Sequence, residues 1–184
     1  MASTPKKRGA PARRKLSQTL PWYLRRKVII LVLGLVTAAF GFHCSKGRVI
    51  QVADGDTVVV HTGMGKTERV RLYGVDAPES AQRGGAEATA FASSLLLFAS
   101  VSLSEMDRDQ YGRSVALVRL DDGRLVNEEM VREGHAWVYR AYCREAFCAK
   151  WLALEHQAKK QGRGLWRQDK PTPPWQWRRA NPRR

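Results

Sequence analysis

Three short stretches of the sequence combine acidic and basic side chains with residues that favour turns. The first is Asp54–Thr57 (DGDT), in which two carboxylates flank a glycine directly before a β-branched run. The second is Arg71–Glu79 (RLYGVDAPE), which holds one arginine and two acids around a proline. The third is Asp109–Arg113 (DQYGR), where an arginine and a tyrosine adjoin a glycine. All three are candidates for a site that handles charged groups.

These residue types match the requirements of phosphodiester hydrolysis. That reaction needs positive charge near the phosphate oxygens, a positioned water and a base that takes its proton. Carboxylates such as Asp56 and Asp76 suit Ca²⁺ or Mg²⁺ and not Zn²⁺. Arginine binds phosphate oxygens bidentately, and Glu79 is able to orient or deprotonate water. Each stretch alone also occurs as an ordinary turn, but their joint occurrence indicates a metal-assisted phosphodiesterase.

The segments that carry these stretches are predicted to be short strands. Five runs are rich in β-branched residues and are bounded by turn residues, namely Arg48–Ala53, Thr57–His61, Glu68–Val75, Val101–Met106 and Ser114–Leu120. A helix is predicted from Gly85, with Phe91, Leu95 and Phe98 on one face.

Two further helices are predicted after the fifth strand. Asn127 is expected to cap a short helix that ends at Gly134. The last helix places Phe147, Trp151, Leu154 and Ala158 on one face. The order β-β-β-α-β-β-α-α predicts an α+β fold, a five-stranded barrel of the oligonucleotide-binding type with about three helices, preceded by one N-terminal hydrophobic helix. This fold alone does not separate an enzyme from a binding protein.

The net charge of +15 is concentrated at the two ends of the chain. Residues 1–27 carry +9 and residues 167–184 carry +5, which leaves +1 for residues 28–166. A nearly neutral central part excludes nucleic-acid binding through a bulk field and requires a local cluster of positive charge. We predict a basic tail at 1–27, a folded domain at 43–166, and a flexible, basic, Pro-rich tail at 167–184.

Residues 28–42 are uncharged and almost wholly apolar. Fifteen residues of helix span about 22 Å, less than a bilayer core of about 30 Å, although Leu20–Leu24 could add interfacial length. Two interpretations remain open. The segment is an inner-membrane signal-anchor with residues 1–27 cytoplasmic and the domain exported, or it is a signal peptide cleaved near Val36–Ala38 and the domain is secreted. A buried core helix is the less favoured alternative.

The sequence contains three cysteines, Cys44, Cys143 and Cys148. In an exported domain, Cys143 and Cys148 could form a disulfide. Five residues apart within one helix they would be too distant to bridge, so pairing requires Cys143 to lie in the turn before the helix. The alternative, two unpaired thiols, stays open.

The motifs D-G-D-T, V-R-L-Y-G-V-D-A-P-E and D-x-Y-G-R are followed by V-N-E-x-M-V-x-x-G-x-A and a helix that ends G-L-W. This series, from Gly47 to Trp166, resembles the signature of the staphylococcal thermonuclease family. The resemblance implies an oligonucleotide-binding barrel, one bound Ca²⁺, and cleavage of DNA and RNA that leaves 3′-phosphates. A monomer is expected, attached to the membrane through residues 28–42 if these are not cleaved.

The resemblance also implies roles for individual residues around the metal. Asp56 and Asp76 match the metal carboxylates of the family, and Ala77 stands where the family supplies a backbone carbonyl. Asp54 matches an acid close to the metal.

Catalytic and substrate-binding roles follow in the same way. Glu79 matches the proposed general base, and Arg71 and Arg113 match the two arginines that bind phosphate. Three tyrosines are expected to contact substrate, Tyr111, Tyr139 and Tyr142. The sequence departs from the family at Arg140, which stands where a second pocket tyrosine is expected, and this departure affects base stacking and not the chemistry.

Two other classes of function compete with an active nuclease. Some relatives keep the barrel and lose the acids, so a catalytically silent nucleic-acid-binding module is the main alternative. A membrane-associated structural protein would explain residues 28–42 only. The intact set of Asp56, Arg71, Asp76, Glu79 and Arg113 favours the enzyme.

Overall fold

The computed structural model describes residues 44–63 and 65–182. The predictions for residues 1–27 and for the hydrophobic segment 28–42 lie outside the described residues. Among those that are described, no helix combines the length and the apolar character needed to cross a bilayer.

Five strands close into a barrel, as the sequence predicts. They are β1 (Cys44–Val52), β2 (Thr57–His61), β3 (Thr67–Leu72), β5 (Ser100–Arg108) and β6 (Ser114–Leu120), in the order β1-β2-β3-β6-β5. Neighbours are antiparallel except β3 and β6, which are parallel. Alternate side chains point inward, and the barrel core is packed with β-branched residues, including Val49, Val58, Val70 and Val118. The barrel prediction is confirmed.

A two-stranded sheet and four α-helices pack around the barrel within the described residues. The small sheet pairs β4 (Val75–Asp76) with β7 (Trp137–Val138). The helices are α1 (Gly85–Leu96), α2 (Val126–Arg132), α3 (Cys148–Lys160) and α4 (Pro174–Ala180), and a 3₁₀ turn spans Gly164–Arg167.

Helix α1 packs on the core mainly through residues that were not predicted, although the predicted Phe91 and Leu95 are half-buried against the core as well. Its buried side chains are Ala88, Ala92 and Leu96, whereas Phe98 lies beyond the helix, 61% exposed, with φ of 63°. The small alanines allow the helix to pack closely against β1. The helix ends at Leu96, so Phe98 lies in the following turn and does not continue the helical spacing of Phe91 and Leu95. The prediction for Phe98 is therefore wrong.

Asn127 does not cap α2, because Leu125 occupies the N-cap position. The Asn127 side chain is fully buried inside the helix. Its Oδ1 accepts from the Val118 amide at 2.9 Å, and its Nδ2 donates to the carbonyls of Tyr73 and Ala116 at 3.0 and 3.1 Å. Asn127 thus joins α2 to the ends of β3 and β6, next to the acidic stretches.

Cys143 and Cys148 form a disulfide, with their Cα atoms 5.8 Å apart. Cys143 lies in the turn before α3 and Cys148 is the first residue of that helix, which is the geometry that pairing required. The bond ties this turn to the start of α3.

The C-terminal residues differ from the flexible tail predicted for 167–184. Residues 174–180 form α4, which starts with a proline at its first helical position, and Pro174 is buried. Trp175 and Arg178 lie one turn apart on the same side of this helix and contact the barrel domain. The flexible tail was predicted from the proline content alone, which gave no indication that Trp175 and Arg178 attach this segment to the domain.

Candidate functional site

The acidic turn between β1 and β2 is held by its own backbone. The Ala53 amide donates to the Thr57 carbonyl at 2.9 Å, and the Asp56 amide donates to Asp54 Oδ1 at 3.0 Å. Gly55 is required here, because a Cβ atom would lie 2.7 Å from that of Ala77. The turn therefore packs directly against the residue that follows Asp76.

Strand register places Arg71 beside this turn. Thr57 is opposite Arg71 in the β2–β3 pair, and the Leu72 amide donates to the Asp56 carbonyl at 2.8 Å. The chain then reverses at Gly74, whose φ is 70° and whose absent side chain leaves room for Cys143. Strand β4 follows and carries Asp76 back towards Asp56.

Arg71 joins the two aspartates predicted to hold a metal. It donates from Nη1 to Asp56 Oδ1 at 2.7 Å and from Nη2 to Asp76 Oδ1 at 2.8 Å. Asp56 Oδ2 accepts from the Ala77 amide at 3.0 Å. The side chains of Asp56 and Asp76 are only 6% and 0% exposed, so these charges depend on their partners for stabilisation.

Burial and charge density both affect the protonation of this cluster. Burial, reinforced by the charge of Asp56, raises the pKa of Asp54 to about 6. Burial also raises the pKa of Asp76, although hydrogen bonds from Arg178 oppose the shift. Burial acts to lower the pKa of Arg71, but Asp56 and Asp76 outweigh it and the net shift is upward. The cluster is thus short of positive charge and favours a cation.

Arg178 of α4 supplies part of that charge. Its Nη2 donates to Asp76 Oδ2 at 2.9 Å, and its Nη1 donates to Asp76 Oδ1 at 3.1 Å and to Glu79 Oε1 at 2.9 Å. One guanidinium therefore joins a predicted metal ligand to the predicted general base. Burial acts to lower the pKa of Arg178, but its hydrogen bonds to these two acids outweigh burial and raise that pKa.

The third stretch forms a separate, self-contained turn. Asp109 Oδ1 accepts from the amides of Tyr111 and Arg113, both at 2.9 Å, and its Oδ2 accepts from Arg113 Nε at 2.6 Å. These bonds hold the pKa of Asp109 below its ordinary value, although burial opposes them. The Tyr111 ring is 76% exposed, with the Arg113 guanidinium 5.7 Å from its centre.

All three stretches line one cleft of about 930 Å³. The sequence-predicted residues on its walls are Asp54, Asp56, Arg71, Ala77, Glu79, Tyr111, Arg113, Tyr139 and Tyr142. Asp76 lies directly behind this wall, bonded to Arg71. The structure brings the predicted residues together, while their individual roles stay predictions.

The tyrosines at the other side of the cleft are covered in part by α4. Tyr139 and Tyr142 are neighbours, with ring centres 4.7 Å apart. The Trp175 ring stacks on Tyr139 at 5.4 Å with an interplanar angle of 3°. Trp177 also lines the cleft.

The donor set fits a hard divalent cation in its chemistry. Asp56, Asp76 and Glu79 offer only oxygen atoms, and Asp76 and Glu79 already bind a cationic group, the guanidinium of Arg178. Over the described residues, no three or more His, Cys, Asp or Glu side chains are arranged as a ready metal site. Two carboxylates with backbone and water oxygens remain sufficient for Ca²⁺.

The sequence reasoning did not identify Arg178 or Trp175, because both fall in the Pro-rich tail. A proline at the start of a short helix, with an aromatic and an arginine three residues apart, was the available signal. Asp109 was assigned no role from the sequence, although an aspartate in a turn commonly accepts from the amide two residues on, as Asp109 does from Tyr111.

Comparison with known proteins agrees with these features. A family model described as staphylococcal nuclease homologue matches residues 69–168. A protein of Escherichia coli O157:H7 named uncharacterized endonuclease is 40% identical over 153 residues, which cover 83% of this chain and 97% of that protein. A micrococcal nuclease of Shigella flexneri is 36% identical over 144 residues, or 74% of this chain and 82% of that protein.

The matched segment contains every predicted site residue except Asp54 and Asp56. The pairing of Asp56 with Arg71 then extends the site to the turn before β2. With the barrel, the cleft and these relatives together, the chain belongs to the staphylococcal nuclease family.

Proposed function

We propose that this protein is a nuclease that hydrolyses phosphodiester bonds in DNA and RNA. The observation that carries the proposal is Arg71, bonded to both Asp56 and Asp76 beside Glu79 in one cleft. Relatives named endonuclease and micrococcal nuclease support the same activity. A protein that only bound nucleic acid would gain nothing from burying two carboxylates where a phosphate must approach.

Each side chain has a task in the proposed reaction. Glu79 accepts a proton from the attacking water, which then bonds to phosphorus as the P–O5′ bond breaks. The departing O5′ takes up a proton from solvent and Glu79 releases its proton to water, so the products are a 3′-phosphate and a 5′-hydroxyl. Arg71 has five N–H donors, two of which hold the aspartates, and others can contact the phosphate. Arg113 uses Nε for Asp109, which leaves its terminal nitrogens for bidentate phosphate contacts.

We propose Ca²⁺ as the cofactor, held by Asp56, Asp76 and the Ala77 carbonyl. When bound, the cation would neutralise negative charge on the phosphate and so lower the barrier to attack. The oxygen-only donors and the shortage of positive charge in the cluster support a hard cation over Zn²⁺. Asp54 supports the site through the Asp56 amide, to which it is bonded at 3.0 Å.

The activity is tested by digesting single-stranded DNA and RNA with the full-length protein in Ca²⁺ or in EDTA. We expect cleavage in Ca²⁺ only, and loss of about 10²–10⁴-fold of the rate in Glu79→Gln. Glu87→Gln is a matched control, because Glu87 is exposed in the first turn of α1. An unchanged rate in Glu79→Gln would refute the role of Glu79. If the products carry 3′-phosphates, treating them with a 3′-phosphatase should release inorganic phosphate.

We also propose that the nuclease domain is exported. The basic charge of residues 1–27 followed by the apolar segment 28–42 supports this location, and so does the disulfide between Cys143 and Cys148. Protease added to intact spheroplasts should digest the domain if it is anchored, and the medium should contain it if the segment is cleaved. Full protection inside the cytoplasm would contradict the proposal.

A further inference from the structure

The end of the chain lies across the cleft and is attached at several points. We name residues 172–181 the C-terminal strap. Gln82 donates from Nε2 to the Thr172 carbonyl at 2.6 Å, and Pro174 is buried. Trp175 stacks on Tyr139, and Arg178 binds Asp76 and Glu79. The contacts with Tyr139, Asp76 and Glu79 fall on residues predicted for substrate, metal and base.

The Arg178 guanidinium occupies the carboxylate oxygens of Asp76 that a metal ion would need. It approaches both oxygens of Asp76, at 2.9 and 3.1 Å, while Arg71 holds Oδ1 from the other side. The Asp76 side chain is 0% exposed, so further partners cannot reach it from solvent while Arg178 is there. Arg178 and a divalent cation therefore exclude each other at Asp76.

Trp175 blocks a second part of the site. Its ring is parallel to Tyr139, at a separation that suits aromatic stacking. A nucleobase that stacked on the same face of Tyr139 would have to displace it. The strap thus covers the cation position and the base-stacking surface together.

We propose that the C-terminal strap is an autoinhibitory segment, in which Arg178 stands in for the divalent cation and Trp175 for a nucleobase. Ca²⁺ binding releases Arg178 from Asp76 and Glu79, which frees Glu79 to act on water. This inference rests on the proposed function, because it assumes that Asp76 and Glu79 serve a metal-dependent nuclease.

The strap lowers the apparent affinity for Ca²⁺ without changing the intrinsic affinity of the open site. If the strap is closed in about 90–99% of molecules, the apparent dissociation constant rises about 10- to 100-fold, because only the open fraction binds the ion. The same contacts keep the buried acids neutralised when Ca²⁺ is scarce. Removing Arg178 should therefore tighten Ca²⁺ binding, whereas removing a true substrate ligand would not.

The test measures Ca²⁺ binding to the full-length protein by calorimetry, without nucleic acid. We expect Arg178→Ala to bind Ca²⁺ at least about tenfold more tightly than the wild type. Arg179→Ala is the matched control, since it removes the same charge from the exposed neighbouring position on α4. Trp175→Ala should shift the affinity in the same direction as Arg178→Ala, and it leaves the carboxylates untouched if the arginine variant folds poorly.

Hydrogen exchange gives a second readout on the wild-type protein. Amides of residues 172–181 should exchange faster when Ca²⁺ is added, because the strap opens. Equal Ca²⁺ affinity in Arg178→Ala and wild type would contradict the autoinhibitory role of the strap and leave the cofactor proposal intact. Lower cleavage at saturating Ca²⁺ with unchanged affinity would also overturn it, by making Arg178 a substrate ligand. If neither protein binds Ca²⁺, the proposed cofactor is wrong and the strap proposal falls with it.

Discussion

Single side chains in the cleft are held in position by neighbouring acids. Asp109 is the clearest case, since it accepts three hydrogen bonds within its own turn, two of them from Arg113. The guanidinium is thereby fixed before any phosphate arrives, and such preorganisation contributes to rate because no reorganisation is needed during the reaction.

We predict that Asp109→Asn lowers kcat about tenfold, because Arg113 is retained but loses its ionic partner at Nε. Asp122→Asn is a matched control. Asp122 makes the same two kinds of contact, to the Arg124 amide at 2.9 Å and to Arg124 Nε at 2.8 Å, in a turn away from the cleft. The two variants should lose similar stability in urea unfolding, while only the first loses kcat. An equal effect on kcat would make Asp109 merely structural.

At the level of elements, the strands and the core face of α3 were predictable, since Trp151, Leu154 and Ala158 are buried as expected, whereas the contacts of α1 and α4 were less so. The runs Thr57–His61 and Ser114–Leu120 match β2 and β6 residue for residue, because β-branched side chains favour strands and turn residues bound them. Helix α1 packs through Ala88 and Ala92, which give no strong periodic signal. Helix α4 is short and polar, and its position depends on Trp175 and Arg178 meeting partners that are far away in sequence.

The same contrast applies to the candidate site. Motif order identified Asp56, Arg71 and Asp76, and the barrel register then explains why they meet, since Thr57 faces Arg71. The ion pairs with Arg178 span about a hundred residues, and no local pattern encodes such a contact.

Helix α2 is joined to the barrel by a buried amide whose loss should be costly. Asn127→Ala removes the partner of the Val118 amide and of the Tyr73 carbonyl, whereas the Ala116 carbonyl keeps its bond from the Tyr73 amide at 2.9 Å. We predict a decrease of about 3 kcal/mol in the free energy of unfolding, because buried unsatisfied groups cost about 1–3 kcal/mol each and relaxation recovers part of that. Gln157→Ala, at an exposed position of α3, is the control and should stay within about 0.5 kcal/mol. A similarly small change for Asn127→Ala in urea unfolding would contradict this.

For the described part of the molecule, the charge distribution links the C-terminal end of the sequence to the cleft. Residues 28–166 carry +1 and residues 167–184 carry +5. The cleft nevertheless concentrates four acids, Asp54, Asp56, Asp76 and Glu79, around Arg71. The basic C-terminal part therefore balances a local excess of negative charge, and Arg178 is the residue through which it does so.

The free energy of unfolding of wild type and Arg178→Ala, each measured with and without Ca²⁺, should reveal this charge balance. A ligand that binds only the folded state at 100 times its dissociation constant adds about 2.7 kcal/mol to the free energy of unfolding. In EDTA, Arg178→Ala should melt below the wild type, because Asp76 and Glu79 lose their ion pairs. In saturating Ca²⁺ the two melting temperatures should converge, since the strap is released in both proteins and the ion replaces the guanidinium.

The gain in Tm on adding Ca²⁺ is therefore expected to be larger for Arg178→Ala than for wild type. The corresponding difference in the free energy of unfolding is the amount by which Arg178 stabilises the Ca²⁺-free state. Differential scanning calorimetry at matched ionic strength measures both gains, with Arg179→Ala expected to behave like the wild type. A constant gap between Arg178→Ala and wild type at all Ca²⁺ concentrations would mean that Arg178 stabilises both states equally. The guanidinium and the ion would then occupy different positions, and Arg178 would be a permanent part of the site wall.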